Sequence, residues 1–297
     1  MSRSKGFTLI EISIVLVIIG LIVGGVLVGK DLIEAATIRS QISQIEKYQT
    51  AVNVFKSKYN CIPGDCVNAA NFGFAARGSE ITQGNGDGNI EGAWSGGGTR
   101  RMILDSGEGG LFWRDLSDAG LISEKFNTSP CCSALPSPVN EGTTPSLRDL
   151  TPPAKLGRGN YVYIYSHIDS VCCGVMFNRG VNYFGLSAIG PLSAGAPTDT
   201  PTLAIRPIEA LNIDTKIDDG LPQSGAIQAK FLGTNTIRWA HGNANTGVYG
   251  TTDTTATSAS ATTCYDNGNI GSATQKYSTS INGGTGLNCG LQIRAGF

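Results

Sequence analysis

Histidine is nearly absent. The chain holds two, His167 and His241, far apart in sequence, which leaves no pair at zinc-ligand spacing and no histidine-centred catalytic group. An HExxH signature, a nucleophile motif and a phosphate loop are also missing, so the enzyme classes built on them are excluded. Charged residues make up only 15% of the chain, and the formal net charge is −1; that balance argues against nucleic acid as the main partner. No proline precedes Pro63, so nothing in that stretch breaks a helix. Cysteine is absent there until Cys61, and none of the eight cysteines follows a CxxC…CxxC spacing. Thr251 to Thr263, dominated by Thr, Ser and Ala, has too few large apolar residues to build core and reads as an exposed loop in the final cysteine region.

Residues 5 to 11 read Lys-Gly-Phe-Thr-Leu-Ile-Glu, followed directly by the charge-free apolar run Ile12 to Gly29. At about 1.5 Å per residue that run spans roughly 27 Å, enough to cross a bilayer core of about 30 Å once Phe7 to Glu11 enter as well. Arg3 and Lys5 in front of it favour a cytoplasmic amino terminus. A carboxylate at the mouth of such a helix is costly, about 2.5–3.5 kcal/mol at a bilayer centre and less near an interface, so Glu11 is a functional candidate.

The string Lys5-Gly6-Phe7-Thr8-Leu9-Ile10-Glu11, behind a basic leader, resembles the class III signal of type IV pilins and type II secretion pseudopilins. The resemblance implies cleavage after Gly6 by a membrane-embedded prepilin peptidase and methylation of the new amino terminus at Phe7. It also implies that Glu11 neutralises the terminal ammonium of a neighbouring subunit. Two opposite charges about 4 Å apart attract by roughly 4 kcal/mol at an effective dielectric near 20, comparable to the cost of the carboxylate in lipid. Unlike an ordinary signal peptide, whose cut follows the apolar run, this one would be cut before it and keep its anchor. Loss of Arg3 and Lys5 would take the net charge from −1 to about −3.

Beyond the apolar run, Ile38, Ile42, Ile45, Val52, Phe55 and Tyr59 recur at helical spacing with charged residues between them. This predicts one helix from Phe7 to Tyr59. Many type IV pilins carry a proline in the anchor; here Gly20, Gly24, Gly25 and Gly29 offer either local melting or close helix packing. The expected organisation is a leader at 1–6, an apolar transmembrane and assembly helix at 7–30, its amphipathic half at 31–60, and a globular extracytoplasmic head at 61–297. The expected fold is α+β, the helix packing on a loop-rich antiparallel sheet with disulfides. Within the head, Gly110 to Ile122 predicts a short helix stopped by Gly120, with Phe112 and Trp113 as core. Tyr161–Ile168, Val175–Leu186 and Ala226–Leu232 predict strands, with His167 a polar strand residue.

Eight cysteines, all past the anchor, suit an oxidising compartment. Roughly a hundred pairings are possible. The expected set joins Cys61 to Cys66, the doublet Cys131 and Cys132 to the doublet Cys172 and Cys173, and Cys264 to Cys289; the last resembles the carboxy-terminal disulfide loop of many type IV pilins.

Two acidic clusters are calcium candidates, although no cofactor is required. In Gln83 to Ile90 the polar residues Gln83, Asn85, Asp87 and Asn89 alternate with glycines, and Gly88 and Ile90 fall where an EF-hand loop places a glycine and an apolar residue. The match is partial. Gln83 replaces the first aspartate and Trp94 stands in place of the bidentate glutamate, so Glu91 or Glu108 would have to substitute. Asp214, Asp218 and Asp219 form the second cluster, with an aspartate-capped Asp-Gly turn as its plainer reading.

Together with these features, the resemblance implies a structural, non-enzymatic filament subunit. Its partners would be copies of itself, other pilins or pseudopilins, the prepilin peptidase and an inner-membrane assembly platform. It would wait as a single-pass inner-membrane protein of a bacterium, then enter a periplasmic pseudopilus or cell-surface filament. The alternative is a minor or tip pilin acting as an adhesin or a DNA- or substrate-binding subunit.

Overall fold

The computed structural model describes residues 6–74, 84–90, 107–126, 146–166, 180–189, 192–193, 196–197, 203–233, 236–240, 258–267 and 275–297. Helix α1, Leu9–Tyr59, is one unbroken helix of 51 residues, about 76 Å long at about 1.5 Å per residue. It starts two residues later than the apolar pattern predicts because Thr8 is extended, with φ −79° and ψ 152°, and serves as the N-cap. In this single chain the helix runs unbroken through Gly20, Gly24, Gly25 and Gly29, and a Cβ at any of them would meet nothing within 4 Å. Up to Ile33 the side chains of α1 are exposed, apart from half-covered Gly29.

From Ile38 onward α1 enters the core. Ile38, Ile45, Tyr48, Ala51, Val52 and Phe55 are buried at the helical period, and Ile42 and Tyr59 are partly buried beside them. Gln41 and Gln44 are buried on the same face. Their carboxamide oxygens accept the Leu156 and Lys155 backbone N–H groups at 3.2 and 3.1 Å, and the Gln44 NH2 donates to the Pro153 carbonyl at 3.0 Å. These bonds satisfy both carboxamide oxygens and the Gln44 NH2, groups that burial would otherwise penalise, and stitch the helix to the head. Asn60, in the left-handed conformation at φ 55°, ends the helix and donates its N–H to the Lys56 carbonyl.

The head follows in the order α2 (Gly107–Asp118), α3 (Leu147–Leu150), β1 (Asn160–Ser166), β2 (Asn182–Ala188), β3 (Leu192–Ser193), β4 (Ala196–Pro197), α4 (Pro207–Ile217), β5 (Ile227–Gln228), β6 (Lys230–Gly233), β7 (Thr236–Trp239), β8 (Tyr265–Asp266), β9 (Lys276–Tyr277) and β10 (Leu291–Arg294). Strands β1, β2, β10 and β5 form an antiparallel sheet in that order. Its inner face, with Val162, Ile164, Phe184, Leu186, Leu291 and Ile293, packs into one core with α1 and with Phe112 and Trp113 of α2.

The outer face is buried too. Tyr163 and Tyr165 cluster with Ile237 of the β6–β7 hairpin, and Tyr161 packs on Leu147 and Leu150 of α3. A strand covered on both sides reads as a continuous apolar and aromatic run, as β1 does.

Several expected boundaries shift. The helix placed at Gly110 begins at Gly107, and Gly120 follows its end at φ 67°. The strand expected at 175–186 is described from residue 180 onward, where β2 spans 182–188; 175–179 lie outside the described residues. The single strand expected at 226–232 is two, because Ala229 turns its N–H to the Pro222 carbonyl and its carbonyl to the Ala240 N–H. β5 therefore pairs with β10, while β6 pairs with β7. His167, His241 and the cysteine doublets lie outside the described residues.

Candidate functional site

At the amino end, Gly6, Phe7 and Thr8 precede the helix and are exposed. Thr8 and Glu11 form a reciprocal cap. Thr8 Oγ1 accepts the Glu11 N–H at 3.3 Å, and Glu11 Oε2 accepts both the Thr8 N–H and the Thr8 Oγ1–H at 2.8 Å. The Glu11 carboxylate thus faces back along the chain toward Phe7, at the end of the helix where anions are stabilised by the helix dipole. The [Ser/Thr]-x-x-Glu spacing at Thr8 is the local sequence signal for this contact.

In the head, residues 84–90 of the glycine-rich loop are described. Gly84, Gly86 and Gly88 adopt φ values of 81°, 77° and 85°, turning successive N–H groups inward. Glu108 Oε1 accepts the Gly84 and Asn85 N–H groups at 3.1 Å, and the Asp65 carboxylate accepts those of Gly86 and Gly88. Burial pushes the Asp65 carboxyl above its usual range despite these N–H groups. Side chains along the loop bond locally: Asn85 Oδ1 accepts the Asp87 N–H, Asp87 Oδ1 accepts the Asn89 N–H, and Asn89 Oδ1 accepts the Ser166 hydroxyl and the Gly180 N–H. Gln83 and Glu91 lie outside the described residues.

The second cluster does converge. One carboxylate oxygen from each of Asp214, Asp218 and Asp219 lies within 4.8 Å of the others. Asp214 sits on α4 and caps the Asp219-Gly220 turn, as the plainer reading of the cluster has it, and each carboxylate already accepts protein hydrogen bonds. Asp214 takes the Gly220 N–H at 3.0 Å and the Tyr277 hydroxyl at 2.7 Å, Asp218 takes the Ala226 and Ile227 N–H groups, and Asp219 takes the Leu221 N–H and Ser224 hydroxyl. Burial pushes the Asp214 carboxyl up to about 6, the Tyr277 and Gly220 donors oppose this, and the charges of Asp219 and Asp218 add to it.

Cys61 is bonded to Cys66 and Cys264 to Cys289. The first pair closes a short loop at the end of α1, beside an open cleft of about 590 Å3. An ion network not foreseen from sequence ties the foot of the head to the helix. Arg206 reaches Glu34 of α1 at 2.6 Å and Glu209 at 2.8 Å, and Arg158 also pairs with Glu209. Burial pushes the Glu209 carboxyl up, but the hydrogen bonds and charges of Arg206 and Arg158 outweigh it and hold the group below its usual range.

Residues 1–27 match the family model of the prokaryotic N-terminal methylation motif. This is the type IV pilin and pseudopilin signature. No curated protein and no solved structure matches the chain. The methylation motif covers the apolar start of α1, the one helix among the described residues long and apolar enough to cross a membrane by length and composition.

Proposed function

We propose that this chain is a structural subunit of a type IV pilus or pseudopilus-like filament, cut after Gly6 by a prepilin peptidase, methylated on Phe7 and polymerised through α1. The match of residues 1–27 to the methylation motif carries this reading. The bare apolar half of α1 supports it, because an unpaired stripe of Ile, Val and Leu needs lipid or neighbouring helices around it. In the anchored state the amino terminus is cytoplasmic and the head lies across the inner membrane. In the filament, Glu11 meets the Phe7 ammonium of a neighbouring copy, with Thr8 holding its carboxylate toward that end.

Replacing Gly6 by a bulky residue should leave the leader uncut. Glu11→Ala should be cleaved normally yet be incorporated poorly into filaments, as read by immunoblots of sheared filament and membrane fractions. Wild-type filament yield from Glu11→Ala would refute the pairing. A binding subunit at the filament tip is the second reading, favoured by the size of the head and the cleft at its far end. A main subunit dominates sheared filaments, whereas a tip subunit is scarce in them.

A further inference from the structure

The cleft at the end of α1 has walls fixed before any ligand arrives. The Cys61–Cys66 disulfide closes one side. Gly64, whose Cβ position is filled by the Glu108 carbonyl, and the Asp65 clamp on Gly86 and Gly88 hold the glycine-rich loop as another. Val67 lies against Gly86, where a Cβ would come within 2.8 Å of its methyl group. The 3-10 turn Ala69–Phe72 supplies an aromatic ring that is 48% exposed although its neighbour Tyr59 is only 5.3 Å away.

Polar groups are spaced around that ring. The Lys56 ammonium and the carboxamides of Asn60 and Asn68 line the cleft and have no hydrogen-bond or ion-pair partner among the described residues. Asp65, the one acid among the described lining residues, turns its carboxylate to the Gly86 and Gly88 N–H groups instead. An apolar ligand would strip water from the ammonium and both amides without replacing it. A peptide strand would need a sheet edge, and a helix end and loops bound the cleft. Nucleic acid would need several cations, and Lys56 is the one cation among the described lining residues. A pyranose ring fits the set: its C–H face stacks on Phe72, and its hydroxyl rim meets carboxamides that both donate and accept.

We propose that this cleft binds a saccharide bearing a carboxylate, stacked on Phe72, hydrogen-bonded by Asn60 and Asn68 and paired with Lys56. From Gly29 to Tyr59 the helix rises about 45 Å, which puts the cleft at the end of the head away from the membrane. That outward placement rests on the reading of the chain as an anchored filament subunit.

The test uses the full chain purified in detergent and titrated with digalacturonate and sialyllactose, with lactose and chitobiose as neutral probes. An acidic probe should bind. Phe72→Ala and Asn68→Ala should each lose about tenfold in affinity while melting as the wild type does. Lys56→Gln should bring the acidic probe down to the level of the neutral ones. Absence of binding at millimolar probe, or binding unchanged in both Phe72→Ala and Asn68→Ala, overturns the site. Equal affinity for acidic and neutral probes overturns the carboxylate assignment. Saccharide binding by a chain that never enters filaments would sink the filament reading and leave the cleft standing.

Discussion

Asp214 shows how one side chain can make stability depend on pH. Its carboxyl is buried and pushed up to about 6, above the value of about 3.9 for an unfolded aspartate. Below about pH 4 both states hold the proton. As pH rises toward 6 the unfolded chain releases it first, so stability falls across that window and stays lower above it. The shift corresponds to about 3 kcal/mol. Asp214→Asn should therefore be more stable than the wild type at pH 7.5 by up to that amount and nearly equal to it at pH 4, as measured by urea unfolding at each pH. The calcium expectation has its readout in the same experiment: an ion shared by Asp214, Asp218 and Asp219 would favour the charged form, so added calcium would flatten the wild-type slope and chelator would restore it.

At the scale of elements, the sheet depends on close approach. Tyr163 on β1 lies across Gly185 on β2, where any Cβ would overlap its ring, and its hydroxyl bonds Ser187 at 2.9 Å. Gly185→Ala forces the ring out of the layer shared with Tyr165 and Ile237. It should cost about 1–3 kcal/mol, seen as a lower denaturation midpoint with an unchanged m-value. The helix and the main strands were legible because their apolar periods are long: 3.6 along α1, near-continuous along β1. The split of 226–232 was not, since Ala229 is diverted by Pro222 and Ala240, contacts that no local period announces. In the glycine-rich loop the alternation of Asn, Asp and Gly signalled a tight, polar turn. It could not reveal that Asp65 and Glu108, distant in sequence, accept the N–H groups of that loop.

For the whole molecule, the two disulfides act on different lengths of chain. Cys264–Cys289 spans a separation of 25 residues, and Cys289 feeds directly into β10, the strand between β2 and β5. Its double alanine variant should lose about 2–5 kcal/mol. Loss of Cys61–Cys66, with a separation of 5, should cost about 1 kcal/mol less by loop-closure entropy. Melting of the detergent-solubilised chain ranks the two. The foot of the head is held separately, by Arg206 between Glu34 and Glu209, so head and helix are joined at both ends of the packed segment.

The sequence by itself determined the long helix, its apolar and amphipathic halves, the methylation motif and the α+β class, because each is written in neighbouring residues. Only the tertiary structure decided what the polar groups do. Gln41 and Gln44 bond a loop more than a hundred residues away, the carboxylates of Asp214, Asp218 and Asp219 gather, Asp65 and Glu108 take the N–H groups of the glycine-rich loop, and a cleft opens at the end of α1. A hydrogen bond or ion pair is set by where two distant chain segments come to lie, and packing of the apolar faces fixes that placement.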